Sequence, residues 1–279
     1  MNKLDYILPA PQLRDYISLY YWFESDAPRA YDRERAAIAQ LRFIMCGRGI
    51  MHFANGSSHA CEGPMVVGPT SGAVEFEVEG PFRMFGLGLL AAGWDALTQA
   101  SAADYVDRAV PAIELFPNIR ERVAGLQHAD GLDGIAEAAN SLLAPFMAAA
   151  SPETLAFTRM VDGWLASSVS PSVGELHAMV ALSERQVTRR VKQLYGMPPK
   201  YLARKYRALR AARALVEADP AEADFLRDAF YDQSHMIREM RLFTGTTPSK
   251  LRKNEGDLAT MIDRRGRFVG RISALTAET

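Results

Sequence analysis

Residues 187–202 read VTRRVKQLYGMPPKYL, and residues 236–251, 49 positions later, read MIREMRLFTGTTPSKL. In both copies the apolar residues at the first, fifth and eighth positions form one stripe of a helix, and an Arg at the third position projects away from that stripe. Gly196 and Gly245 are expected to end the two helices by taking a positive φ, and the Pro beyond each prevents continuation. The repeat therefore predicts two related helices, each with a sharp stop.

Each of these helices is preceded by a turn and a shorter helix. Ser172 and Ser183 are expected to cap two successive helices, with the turn at Ala181-Leu182 between them. In the second copy one helix is expected to end near Asp228 and the next to begin near Gln233. A helix, a tight turn and a second helix with basic residues on its outer face is typical of the helix-turn-helix unit, whose second helix fits the major groove of DNA.

The charge of the chain is divided unevenly. Residues 1–150 carry 11 Lys and Arg against 18 Asp and Glu, a net charge of −7, whereas residues 151–253 carry 17 against 11, a net charge of +6. This asymmetry indicates an acidic module joined to one that can approach phosphates. No apolar run reaches the roughly 20 residues of a membrane span. The lack of a signal-peptide pattern and the two cysteines, Cys46 and Cys61, in no metal-ligand spacing favour the cytoplasm.

The first half of the chain is predicted to be β-rich. Residues 41–46 and 50–53 flank Gly47-Arg48-Gly49, which is a hairpin signal, and a short helix is expected over 11–17. Further strands are predicted over residues 65–68, 73–78 and 82–90. Short strands separated by Gly and Pro turns are typical of an antiparallel barrel or sandwich.

From Gly93 onward the spacing of apolar residues becomes helical. Residues 113–147 predict two helices, divided by a break at 128–131. The stretch from Ala148 to Pro152 is expected to be a boundary, after which a new helix begins.

Four segments carry a resemblance to a known family: Ala181–Arg190 (ALSERQVTRR), Tyr231–Met236 (YDQSHM), Phe243–Pro248 (FTGTTP) and the long helix over 198–217. They resemble the AraC-type transcription regulators, and the N-terminal half more weakly resembles the cupin-like sensor domains attached to such regulators. The resemblance implies an α+β chain with a β-rich sensor domain over 1–112, a helical linker or dimerisation segment over 113–150 and a double helix-turn-helix DNA-binding domain over 151–253. The tail over 254–279 is left without an assignment.

The resemblance also implies which residues contact duplex DNA. The residues expected to contact bases are Arg185, Thr188 and Arg189 in the first unit and Gln233, Ser234, Ile237 and Arg238 in the second. The residues expected to contact phosphates are Gln186, Arg190, Lys192, Lys200, Arg204, Lys205, Arg207 and His235. The implied partners are DNA, a small-molecule effector at an unassigned site, a second copy of the chain and, for an activator, RNA polymerase. No cofactor, metal or membrane is expected.

The sequence departs from the family pattern at several positions. The family usually has Gly in the turn where this chain has Ala181 and Ala229, so each turn is expected to be strained or differently shaped. Asp224 stands where the first copy has an apolar residue. Ile237 and Glu239 make the second reading face, the side of the second helix that is expected to contact bases, less basic. These differences predict that the first unit reads bases and that the second mainly positions the protein.

Two other functions are alternatives to DNA binding. A ligand-binding or adaptor protein whose helix-turn-helix units bind protein fits the two Ala turn positions and Glu239, and salt-sensitive binding to duplex DNA would separate it from a regulator. An enzyme is disfavoured, because His52 and His59 are seven positions apart without further metal ligands and no pair of nucleophile and base is evident. A small-molecule pocket is expected among the aromatic residues of the β-rich half, whose members the sequence leaves open.

Overall fold

The computed structural model of the chain describes residues 3–117, 119, 126, 131–217, 230–252 and 275. It confirms the α+β class, with a β-rich unit followed by a helical unit. The strands are β1 Lys3–Ile7, β2 Ile17–Ser25, β3 Arg29–Glu34, β4 Ala39–His52, β5 Ser58–Cys61, β6 Pro64–Val67, β7 Val74–Leu89 and β8 Ala109–Pro111. They form one antiparallel sheet in the order β1-β2-β7-β4-β6-β8, with β3 paired to β7 and β5 paired to β4.

The hairpin predicted at Gly47-Arg48-Gly49 is wrong. Strand β4 runs through these residues and stays paired with β7 from Ala39 opposite Leu89 to His52 opposite Glu75. Gly47 does take a positive φ of 82°, but it lies at the register shift between Cys46 and Arg48, so it makes a bulge and not a reversal. The predicted strands over 73–78 and 82–90 likewise join into the single strand β7, and the helix expected over 11–17 is a 3-10 turn at Pro11–Leu13.

The two faces of the sheet carry different cores because side chains alternate along a strand. On β4, Leu41 and Phe43 face a core that includes Trp94 from helix α1 (Ala91–Thr98) and residues of helix α2 (Gly131–Ala148). Gln40 and Arg42, which alternate with them in sequence, face the opposite side of the sheet, where a second cluster of apolar residues surrounds a cavity.

The helical unit contains α3 Pro152–Ser167, α4 Val173–Ala178, α5 Glu184–Tyr195, α6 Pro199–Glu217, α7 Gln233–Thr244 and α8 Pro248–Arg252. As predicted, Gly196 ends α5 with a φ of 83° and Gly245 ends α7 with a φ of 72°. No helix in the described ranges is long and apolar enough to cross a membrane.

Several predictions fall outside the described residues. They concern most of the break at 128–131, the first helix of the second unit with Asp224, Asp228 and Ala229, and the tail after Asn254 apart from Leu275. Leu275 is buried among residues of the helical unit.

Candidate nucleic-acid interface

The start of α5 is fixed by a reciprocal pair of hydrogen bonds. Ser183 Oγ accepts from the backbone N–H of Gln186, and Gln186 Oε1 accepts from the backbone N–H of Ser183 at 2.9 Å. This capping box satisfies two N–H groups that a helix start would otherwise leave without partners. The Gln186 side chain, which was predicted to contact phosphate, therefore serves the helix start in this arrangement. The turn before it holds Ala181 without a positive φ, so the turn differs in shape and is not strained there.

The sequence of α5 separates a buried face from an exposed one. Val187 and Val191 are fully buried, whereas Arg185 and Arg189 are exposed and Thr188 is half-buried between them. This division follows from the helical period of 3.6 residues. The three residues predicted to contact bases thus share the outer face of the helix.

Two further cations of α5 differ in their exposure and contacts. Lys192 is exposed on the same outer face. Arg190 is half-buried, and its guanidinium carbon lies 4.5 Å from the centre of the Phe157 ring on α3. This cation–π contact holds Arg190 against the body of the unit.

The outer face of α5 borders an open groove whose other wall belongs to the β-rich unit. Arg185, Thr188, Arg189 and Lys192 line the groove from the helix, and Ser101 and Ala103 line it from the loop after α1. A nucleic acid that approaches α5 therefore passes close to the segment around Ala103.

The second reading helix, α7, is capped by Asp232, whose Oδ1 accepts from the backbone N–H of His235 at 2.6 Å. The residues predicted to contact bases lie on its outer side, where Gln233, Ser234 and Arg238 are exposed and Ile237 is half-buried. The His235 ring packs edge-on against Phe230, and its Nδ1 accepts from the backbone N–H of Tyr231 at 3.4 Å. His235 therefore helps to shape the turn before the helix.

The prediction that Glu239 makes the second reading face less basic is wrong. Glu239 is 4% exposed and faces the linking helix α6. Its two carboxylate oxygens accept from Arg204, at 2.7 Å from Nη2 and 3.1 Å from Nε, and Arg207 Nη2 lies 3.7 Å away. The outer face of α7 is therefore more basic than the sequence indicated, while Arg204 and Arg207 are engaged inside the unit.

The phosphate contact predicted for Lys205 does not hold in this arrangement. Lys205 is 1% exposed, and its ammonium donates to the carbonyl oxygens of Ala37 at 2.7 Å and Thr70 at 3.1 Å, both in the β-rich unit. Burial lowers the pKa of Lys205 from 10.5 to about 7, although the nearby Asp107 favours the charged form. Lys200, one helical turn earlier, is exposed as expected for a phosphate contact.

Lys205 is one part of an interface between the two units that sequence reasoning missed. The backbone N–H of Ala36 donates to Phe243 O at 2.7 Å, and that of Ala73 donates to Leu242 O at 2.8 Å. The Tyr201 hydroxyl donates to Ser71 O at 2.7 Å. Strand-connecting loops of the β-rich unit thus hold the end of α7 and the start of α6. One feature of the sequence indicated that Lys205 is buried. It lies three positions after the apolar Leu202 and so falls on the same face of the helix.

Comparison with known proteins divides the chain in the same way. Residues 176–254 match the family model of a helix-turn-helix domain, and residues 5–111 match a domain family of unknown function. No curated protein matches the chain.

The solved structures that align with the chain have low identity and low TM-scores to it. ToxT from Vibrio cholerae O395 shares 8% identity, covering 80% of this chain and 96% of its own, with a TM-score of 0.41. Unsaturated fatty acid-bound ToxT from Vibrio cholerae strain SCE256 shares 8%, covering 84% and 93%, with a TM-score of 0.43. The AraC-like transcriptional activator CuxR shares 12%, covering 80% and 90%, with a TM-score of 0.30.

Proposed function

We propose that the chain is a DNA-binding transcription regulator of the AraC type, and that it selects its target with the outer faces of α5 and α7, placed in successive major grooves. The observation that carries this proposal is the outer face of α5. Arg185, Thr188 and Arg189 are presented together there, while the opposite face is buried and both helix ends are fixed. A helix with this distribution of side chains fits the width of the major groove.

The proposed contacts divide into base readout and positioning. Arg185 and Arg189 have the planar fork that pairs with O6 and N7 of guanine, and Thr188 adds a hydroxyl and a methyl group between them. On α7, Arg238 has the same role, with Gln233, Ser234 and Ile237 beside it. Lys192 and Lys200 are proposed as phosphate contacts because both are exposed next to the reading faces.

The rest of the proposal concerns control of DNA binding. The β-rich unit, with bounds predicted at 1–112, is proposed as a sensor that changes its contact with the helical unit when a small molecule binds. A homodimer formed through the segment 113–150, contact with RNA polymerase at activated promoters, and action in the cytoplasm complete the proposal.

The experiment that tests DNA recognition is selection of binding sites from random duplex DNA with the full chain, repeated at two salt concentrations. Enrichment of a site with two elements about one helical turn, or 10 to 10.5 base pairs, apart supports readout by both helices. One short element limits base readout to α5. No enrichment at low salt would refute the proposal in favour of an adaptor that binds protein. A double Arg185→Ala and Arg189→Ala variant is the matched control, in which the first element should disappear.

A further inference from the structure

The β-rich unit encloses a cavity on the face of the sheet opposite α2. It contains ≈ 800 Å³ of empty space, counting the part open to solvent. The walls are mainly apolar and aromatic, with contributions from Tyr21, Phe23, Met51, Phe76, Phe82 and Met84. An apolar and aromatic lining with a few polar groups is typical of pockets that bind a small molecule and fix its orientation.

The principal charged group in the wall is the guanidinium of Arg42, whose side chain is 7% exposed. Its Nη2 donates to Glu34 Oε2 at 2.6 Å and to Gln40 Oε1 at 2.8 Å, and its Nε donates to Gln40 Oε1 at 3.1 Å. Its Nη1 faces the Met51 sulfur at 3.5 Å. A thioether is a weak acceptor, so within the described part of the chain this arm of a buried cation faces the cavity wall without a strong partner.

Gln40 holds the guanidinium in place. Its Oε1 accepts from Tyr21 as well as from Arg42, so the direction of the guanidinium is set from two strands. Gly86, which lies opposite both Tyr21 and Arg42 in the sheet, makes room for the Tyr21 ring. A Cβ at Gly86 would lie 2.2 Å from that ring. The polar end of the cavity is therefore built by side chains from several strands.

The charge of this polar end favours an anion. Arg35 and Arg42 are buried in the wall, and Glu34, at 18% side-chain exposure, is the carboxylate beside Arg42. Glu77 lines the cavity too but is half-exposed, so solvent screens its charge.

From this geometry we propose that the cavity binds a small aromatic or aliphatic monocarboxylate, whose carboxylate pairs with Nη1 of Arg42 in place of the Met51 sulfur. A carboxylate forms a charge-assisted hydrogen bond with a guanidinium, which is stronger than a bond between neutral groups. The hydrocarbon part of the ligand lies among Phe23, Phe76 and Met84. This inference rests on the proposed function, since it names the chemistry of the effector of the regulator.

The segment that follows Glu34 connects the cavity to the helical unit. Glu34, Arg35 and Ala37 line the cavity. The neighbouring Ala36 N–H donates to Phe243 O, and Ala37 O accepts from Lys205. A carboxylate that pairs with Arg42 beside Glu34 therefore acts on the same four-residue stretch, residues 34–37, that holds α6 and α7.

The test is calorimetric titration of the full chain with three ligands of one carbon skeleton: 3-phenylpropanoate, 3-phenylpropanamide and 3-phenylpropylamine. We expect the acid to bind at least about tenfold tighter than the amide or the amine, because only the acid forms the charge-assisted bond. Equal or tighter binding of the amide or the amine, or no heat from the acid, would overturn the proposal.

Variants assign the preference to Arg42. Arg42→Met should remove the preference for the acid, while Arg48→Met, on the same strand at 71% side-chain exposure, should keep it. Because Arg42→Met leaves Glu34 without its cation, the double variant Glu34→Gln, Arg42→Met provides a folded background without the unpaired charge. A tenfold preference that persists in the double variant would refute the role of Arg42.

DNA binding of the same preparations is measured separately, without ligand. Loss of carboxylate binding with intact DNA binding contradicts this inference alone. Loss of DNA binding with intact carboxylate binding contradicts the regulator proposal alone.

Discussion

Arg189 and Lys192 are neighbours on the exposed face of α5, yet they are expected to contact different parts of DNA. Arg189→Ala should weaken the free energy of binding to the preferred site by about 1–3 kcal/mol and relax the base preference at one position of that site. Lys192→Ala should weaken binding to all sequences and reduce the slope of log affinity against log salt by about 1. Titration of the selected site and of single-base variants at several salt concentrations checks both expectations. An unchanged site preference in Arg189→Ala would show that another helix face reads the DNA.

Lys205 predicts a pH dependence at the scale of a single residue. Its pKa is about 7 in the folded chain against 10.5 when exposed, because burial disfavours the charged ammonium. Between these values the unfolded chain holds a proton that the folded chain has released, so the contribution of this group to stability increases as pH rises from about 7 to about 10.5.

We expect Lys205→Met to flatten the increase in the free energy of unfolding with pH across this window. Urea denaturation at several pH values between 7 and 9.5 measures it. Lys200→Met, on the exposed side of the same helix, is the control and should leave the slope as in the wild type. The same slope in Lys205→Met and the wild type would disprove this assignment.

At the scale of elements, Glu239 joins the linking helix α6 to the second reading helix α7. Its side chain is 6% exposed and pairs with Arg204, itself 37% exposed, and with the more buried Arg207. Glu239→Gln should lower the free energy of unfolding by about 1–3 kcal/mol, because it removes the charged acceptor of the Arg204 hydrogen bonds and the anionic partner of Arg207. Chemical denaturation measures this loss. Glu184→Gln, at 82% side-chain exposure, should change stability little, and an equal loss in both variants would contradict the role of Glu239.

At the scale of the whole molecule, the β-rich unit forms one wall of the groove along α5. Ala103 lies in that wall, opposite the cations of the reading face. Ala103→Glu should lower DNA affinity severalfold at all sites without changing the preferred sequence, because the added carboxylate repels phosphates and competes for the cations of α5. Binding titrations of the selected site and of unrelated duplex DNA check this. Ala149→Glu, at an exposed position outside the groove, should leave both affinities unchanged. A wild-type affinity in Ala103→Glu would mean that the two units separate before DNA binds.

The ends and the buried faces of α5 and α7 could be predicted from local sequence alone. Ser183 and Asp232 begin α5 and α7, and Gly196 and Gly245 end them, because caps and positive-φ stops depend on hydrogen bonds within one helical turn. The repeat with an offset of 49 predicted two related units for the same reason, since a stripe of apolar residues needs only helical periodicity to be recognised.

Which polar residues are exposed and which are enclosed depends on packing between distant parts of the chain. Lys205 and Glu239 were predicted to be exposed charges, but each is buried against a segment far away in the chain. Gly47 gave a hairpin signal, and the long pairing of β4 with β7 made it a bulge. The physical reason is the same in these cases: burial and pairing depend on what packs against a residue from a distant part of the chain, which local propensity does not contain.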